Sequence, residues 1–129
     1  MRQYKPSDSL SYFAKYRWYL RSLHSKKAER AKILADINEG NISRDILSPD
    51  WNERLLGEIR RLKRKLADIE FAVESIPETP ELIPCKLFLR LHFISGMTLT
   101  QTADKMDVSL STLRRIRDRA SKYFDTYPL

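Results

Sequence analysis

Cysteine, glycine and proline are scarce in this chain of 129 residues, which holds one Cys, 3 Gly and 6 Pro. With Cys85 alone no intramolecular disulfide can form, and a reducing compartment fits. So few turn-forming residues disfavour an all-β fold, whose short strands need frequent turn signals. A zinc site would have only His24, His92 and Cys85 to draw on before turning to carboxylates, and no carboxylates stand at a recognisable ligand spacing. Cys85 is therefore expected to be a plain, partly buried thiol. No Ser/His/Asp constellation, phosphate-cradling glycine loop or carboxylate cluster is present, so the chain is expected to catalyse nothing and to need no cofactor or metal. Long apolar runs are missing as well. No stretch approaches the ~20 residues of a membrane span. Met1-Arg2-Gln3-Tyr4-Lys5-Pro6 also lacks the apolar core of a secretion signal. The expectation is a cytoplasmic protein with no membrane partner.

What is abundant is charge, at 32% of residues, beside 42% hydrophobic residues that argue against disorder. Lys and Arg number 24 against 17 Asp and Glu, a net +7. Such a surface attracts polyanions, phosphate backbones first and anionic membranes second.

Two long helical patterns occupy the first part of the chain. The first runs from Ser7 to Asn38, with Asp8 or Ser9 as cap. Phe13, Tyr16, Leu20 and Leu23 form an apolar line that fades through Ser25-Lys26-Lys27-Ala28-Glu29-Arg30 and resumes at Ala31, Leu34 and Ile37. Gly40 is a natural stop, and Gly40–Asp50 reads as a loop ending in the helix-start signature Ser48-Pro49-Asp50. The second pattern, Pro49 to Ser75, carries Leu55, Ile59, Leu62, Leu66, Ile69, Val73 and Ile76 at alternating spacings of 4 and 3. That is a coiled-coil seam. Its partner is either the first helix, in an antiparallel hairpin, or a second copy of the chain, in a homodimer. Pro77-Glu78-Thr79-Pro80 then interrupts helix formation, and a boundary is expected there. Residues 1–77 form the hairpin, for dimerisation or partner contact, and residues 78–129 form a separate domain.

That second domain reads as three short helices. Pro84 opens the first, whose expected inner face is Leu87, Phe88, Leu91 and Ile94, and Gly96 ends it. Thr98 and Gln101 make a capping box at the start of the next, where Leu99, Thr102, Ala103 and Met106 face inward. Asp107-Val108-Ser109 turns the chain, and Ser109 caps a last helix with Leu113, Ile116, Ala120 and either Tyr123 or Phe124 inside. Ala103, Val108, Leu113 and Ile116 lie at offsets 0, +5, +10 and +13. This spacing fits a helix-turn-helix: a small residue where the helices cross, an apolar turn residue, and two core contacts from the second helix.

The same stretch, Ile83-Pro84 through Phe124, resembles region 4 of bacterial sigma factors. The shared pattern is a helix, Gly96-Met97-Thr98-Leu99, Thr102-Ala103, Val108-Ser109, then Thr112-Leu113 and a basic helix. It departs from that pattern at Asp107, where glycine is usual because the position tends to need positive φ, which Asp tolerates better than most residues. A basic helical hairpin ahead of such a unit is similar to phage late-transcription regulators of the RinA and ArpU type. The resemblance implies an activator of phage or prophage late genes that binds double-stranded DNA and contacts host RNA polymerase in the bacterial nucleoid. Nothing resembles the sigma domain that melts promoters, so a complete sigma factor is not expected.

The expected DNA-binding residues are Thr98, Ser109, Leu110, Ser111, Thr112, Arg114, Arg115, Arg117, Asp118, Arg119 and Lys122. Within them, Arg114 and Arg115 are the candidates for base or phosphate contact, and Arg117 for a flanking phosphate. The run Arg60-Arg61-Leu62-Lys63-Arg64-Lys65 reads as a solvated coiled-coil face before a DNA or acidic-protein contact, as do Lys26, Lys27, Arg30 and Lys32. Tyr12, Phe13, Tyr16, Trp18 and Tyr19 read as core or dimer contacts before base-stacking groups. Two other functions stay open: a DNA-binding subunit of a phage packaging complex, and a protein-only adaptor gripping sigma factor or polymerase.

Overall fold

The computed structural model describes residues 9–129. Helix α1 is Ser11–Asn38, α2 is Trp51–Glu74, α3 is Ile83–Leu89, α4 is Leu99–Met106 and α5 is Leu110–Thr126. A single 3-10 turn, Arg44–Ile46, precedes α2, and α3 runs on into a π-helical turn, Arg90–Ile94. No strand occurs among the described residues, so the fold is all-α. Asp8, one of two expected caps of α1, lies outside the described residues. Ser9, the other, places its hydroxyl 2.9 Å from the Ser121 carbonyl oxygen.

Two compact units divide the chain, and neither boundary falls at the prolines. One is Trp18–Ala67; the other joins the described residues up to Arg17 to Asp68–Leu129.

In the unit Trp18–Ala67, α1 and α2 pair antiparallel: Lys26 meets Glu58 at 3.2 Å and Arg30 donates to Asn52 Oδ1 at 2.7 Å. Partner numbers fall along α2 as they rise along α1. Leu23, Leu55, Ile59, Leu62 and Leu66 are buried between the strips of charge. The fading of the apolar line on α1 is thereby explained, because Lys26 and Arg30 occupy its missing positions with cross-helix polar contacts. Such pairs add little energy at a surface but fix register. Gly40 takes φ +75°, and Asn41 donates its backbone N–H to the Asp36 carbonyl, closing the end of α1.

The second unit has the larger core. Leu10 just before α1, Phe13 and Tyr16 of α1, Ile69 and Val73 of α2 and Ile76 just after it are buried with Cys85, Phe88 and Leu89 of α3 and Leu113, Ile116, Ala120 and Phe124 of α5. Phe13 stacks obliquely on Phe124, centroids 5.0 Å apart, and lies 6.1 Å from Phe93. The prolines end α2, yet apolar packing continues past them. That is why compactness ignores the boundary the sequence suggests. All seven seam residues, six on α2 and Ile76 just beyond it, are buried within the single chain, so a homodimer through that seam has lost its surface.

The inner face of α3 differs from expectation. Cys85, Phe88 and Leu89 are buried, Leu87 is exposed, and Leu91 and Ile94 are half-buried. Apolar counting passed over Cys85, and the π-helical turn after Leu89 rotates the later residues out of step with an α-helical stripe. There Ser95 donates to the Arg90 carbonyl, five residues back, and Arg17 donates to the Ile94 carbonyl at 3.2 Å. Lys86, unremarked in the sequence, is buried. Its Nζ donates to the carbonyls of Glu74 at 3.1 Å and Ile76 at 3.5 Å and to Glu78 Oε1 at 3.3 Å. It thus satisfies carbonyls that the end of α2 leaves open.

Tyr16 donates its hydroxyl to Glu70. Burial first, then that hydrogen bond, pushes the phenol from 10.0 up to about 12. A raised pKa in the folded state gives stability that is intact below pH 10 and disappears as pH rises through about 12. Urea unfolding at neutral and alkaline pH should therefore show a steeper alkaline loss for the natural chain than for Tyr16→Phe.

Candidate nucleic-acid interface

The helix-turn-helix is built by local chemistry. Thr98 accepts from Gln101 N at 3.1 Å while Gln101 Oε1 accepts from Thr98 N at 2.9 Å, the reciprocal capping box at the head of α4. Thr102, fully buried, returns its hydroxyl to the Thr98 carbonyl at 2.8 Å, so its burial leaves no unpaired donor. Ala103 is 3% exposed, and its carbonyl accepts from Val108 N at 3.0 Å. α5 packs on both α3 and α4. At the crossing a side chain larger than methyl would wedge the helices apart.

Asp107 ends α4 at φ 58°, ψ 48°, the left-handed region expected from the pattern. It is the one non-glycine residue among those described with positive φ. An L-residue with a Cβ is strained there, by roughly 1–2 kcal/mol, and less for Asp. Asp107→Gly is expected to leave the midpoint of thermal unfolding level or raise it slightly. Asp107→Val should lower stability by about 1–2 kcal/mol.

Ser109 then accepts from Thr112 N at 3.1 Å and caps α5. Leu113, Ile116, Ala120 and Phe124 point inward, and of the two expected alternatives Phe124, not Tyr123, closes the core. The opposite side carries Ser111, Arg114, Arg115 and Lys122, all exposed, with Leu110 40% exposed at the helix start. Among the described residues neither Arg114 nor Arg115 has an ion-pair or hydrogen-bond partner. Their guanidiniums are free to meet a ligand.

The other expected residues divide. Thr98 and Ser109 spend their hydroxyls as caps, and Thr112 Oγ1 accepts from Ser109 Oγ at 3.0 Å. Arg119 is exposed but donates to the Glu81 carbonyl at 3.2 Å. Arg117 and Asp118 do not stand on the free face as a pair of ligand contacts. Both are half-buried, their Nε and Oδ1 are 3.7 Å apart, and neither atom has a hydrogen-bond partner. Arg117 instead lines a groove with Leu10, Ala14, Phe93 and Leu99. Sequence spacing could not foresee this, because the start of α1 supplies one wall.

The remaining chemistry is quiet. Cys85 is buried, its Sγ 3.6 Å from the Ile116 carbonyl oxygen, and burial pushes its thiol up, away from the reactive thiolate. Among the described residues no His, Cys, Asp and Glu cluster could hold a metal. None of the helices there is long and apolar enough to cross a membrane. Beside α5 lies a groove of 460 Å³ lined by Ile83, Leu87, Met106, Val108, Arg115 and Arg119 among others. Comparison of the chain with protein-family models, curated proteins and solved structures gave no match.

Proposed function

We propose that this chain is a sequence-specific DNA-binding regulator of transcription, not an enzyme, and that the first half of α5 reads the major groove. The observation that carries the reading is the pair Arg114 and Arg115, exposed and unpartnered just inside a capped helix that follows a left-handed turn. A helix of about 10–12 Å diameter fits a major groove about 12 Å wide. Arg114 and Arg115 can there donate to guanine O6 and N7 or to phosphate, while Ser111 and Leu110 meet neighbouring base edges. First-turn N–H groups of α5 and the Lys122 ammonium would hold phosphates. The resemblance to sigma region 4 supplies the finer part of the proposal: activation of phage or prophage late genes together with host RNA polymerase.

Anisotropy of a labelled duplex, titrated with the chain at several salt concentrations, tests the class of function. Affinity should fall steeply as salt rises, because each neutralised phosphate releases counterions. Absence of salt-sensitive DNA affinity would reject the proposal. It would favour a protein-only adaptor, a second reading for which the apolar groove beside α5 speaks.

A further inference from the structure

The six residues Arg60–Lys65 of α2 contain five cations around the buried Leu62. All five are exposed, and none has an ion-pair or hydrogen-bond partner among the described residues. Four other cations of the same compact unit are spent, Lys26 on Glu58, Lys32 on Asp36 at 3.9 Å, Arg54 on Asp50 at 3.5 Å and Arg30 on Asn52, while Arg21, Lys27 and Arg44 stand scattered outside the run. An exposed helix whose charges serve only its own stability alternates signs, so that i and i+4 attract. Here Arg60 faces Arg64 and Arg61 faces Lys65 at that spacing, and each such pair works against the helix. The one acid nearby on the preceding turn, Glu58, is already engaged by Lys26. Asp68 follows one turn later on α2 but forms no ion pair with any of the five, so the stretch keeps its like charge without a partner among the described residues.

We infer that Arg60, Arg61, Lys63, Arg64 and Lys65 form a second contact, with the phosphate backbone of duplex DNA, that is indifferent to base sequence. It rests on the DNA-binding reading of α5 for its choice of polyanion. The chemistry suits phosphates better than bases. The cations span about 7 Å of helix rise, have no hydrogen-bond acceptors among them, and sit on a rigid helix without an aromatic platform in the run. A phosphate row neutralises the repulsion that the helix bears alone, and counterion release supplies the driving force. The consequence is a division of labour: α5 discriminates between sequences, and α2 adds affinity for any duplex.

The test is the slope of log affinity against log salt for the full chain carrying Arg60→Gln, Arg61→Gln and Arg64→Gln together, on a random-sequence duplex. Glutamine keeps helix propensity, and removing like charges should leave thermal unfolding unchanged or raise its midpoint slightly. The slope is expected to flatten by about 2 to 3, with the same loss of affinity on every duplex tried. A second variant, Lys63→Gln with Lys65→Gln, should flatten it in the same sense by less. An unchanged slope overturns the inference and leaves the run a solvated face. Parallel measurement of Arg114→Ala with Arg115→Ala separates the two proposals. Lost sequence discrimination there with an unchanged α2 slope sinks only this contact, whereas a flattened α2 slope with discrimination intact sinks only the α5 reading.

Discussion

Phe13→Ala is expected to destabilise the unit that carries α5 by about 3–5 kcal/mol, the usual cost of truncating a buried aromatic ring. Phe13 is wholly buried, and it is in ring contact with Phe124 and Phe93, so the cavity would open beneath the last turns of α5. A domain of this size has roughly 5–15 kcal/mol in total, which makes the loss a large share of its stability. The same packing predicts a harsher outcome for a polypeptide limited to residues 78–129. It lacks Leu10, Phe13, Tyr16, Ile69, Val73 and Ile76, which line the core of that unit. Thermal unfolding followed by circular dichroism should show no cooperative transition for the short chain and a lowered midpoint for Phe13→Ala. Ile46→Ser, at a position 73% exposed, should stay within about 0.5 kcal/mol of the natural chain. A cooperative transition in residues 78–129 alone would restore the boundary at the prolines.

The features legible in the sequence are those decided within a few residues. The capping box at Thr98 and Gln101, the Ser109 cap and the left-handed Asp107 each follow from one side chain acting on adjacent backbone. The seam on α2 was legible too, since its spacing repeats over seven positions, all of them buried. Its partner was not. Periodicity describes one face of one helix, and the same face serves a hairpin or a dimer equally well. Burial within the chain removes that seam from dimerisation.

What escaped the sequence depends on a third element arriving from far along the chain. Arg117 and Asp118 share a helix with Arg114 and Arg115, but Arg117 shares a groove with the start of α1 and Asp118 lies beside Arg117. Lys86 is surrounded by the end of α2, and no spacing marks a lysine as buried. The face of α3 was displaced by a π-helical turn, which carries no compositional signature. The candidate site thus narrows from eleven residues to the exposed set Leu110, Ser111, Arg114, Arg115 and Lys122, with Thr98 and Ser109 as the helix caps and Thr112 as the partner of Ser109.

Among substitutions on that set, Arg114→Ala and Arg115→Ala should have the largest effect on function. Each good bidentate guanine contact contributes about 1–3 kcal/mol of discrimination, so each loss should lower specific affinity roughly 5- to 150-fold. Because both side chains are exposed and unpartnered, neither change should alter the unfolding midpoint by more than about 0.5 kcal/mol. Arg61→Ala should weaken binding less, and by the same factor on every sequence. Gel shifts on a preferred duplex and on a scrambled one would separate the two patterns. Equal losses at all three arginines would remove the assignment of α5 as the recognition helix.

Selection from a random duplex library, run in parallel with the natural chain and with the double variant Arg114→Ala and Arg115→Ala, addresses the central claim most directly. The natural chain is expected to enrich one sequence motif, and the variant, folded and still attracted to DNA by its other cations, to enrich none. Enrichment of the same motif by both proteins, or of no motif by either, would contradict that claim.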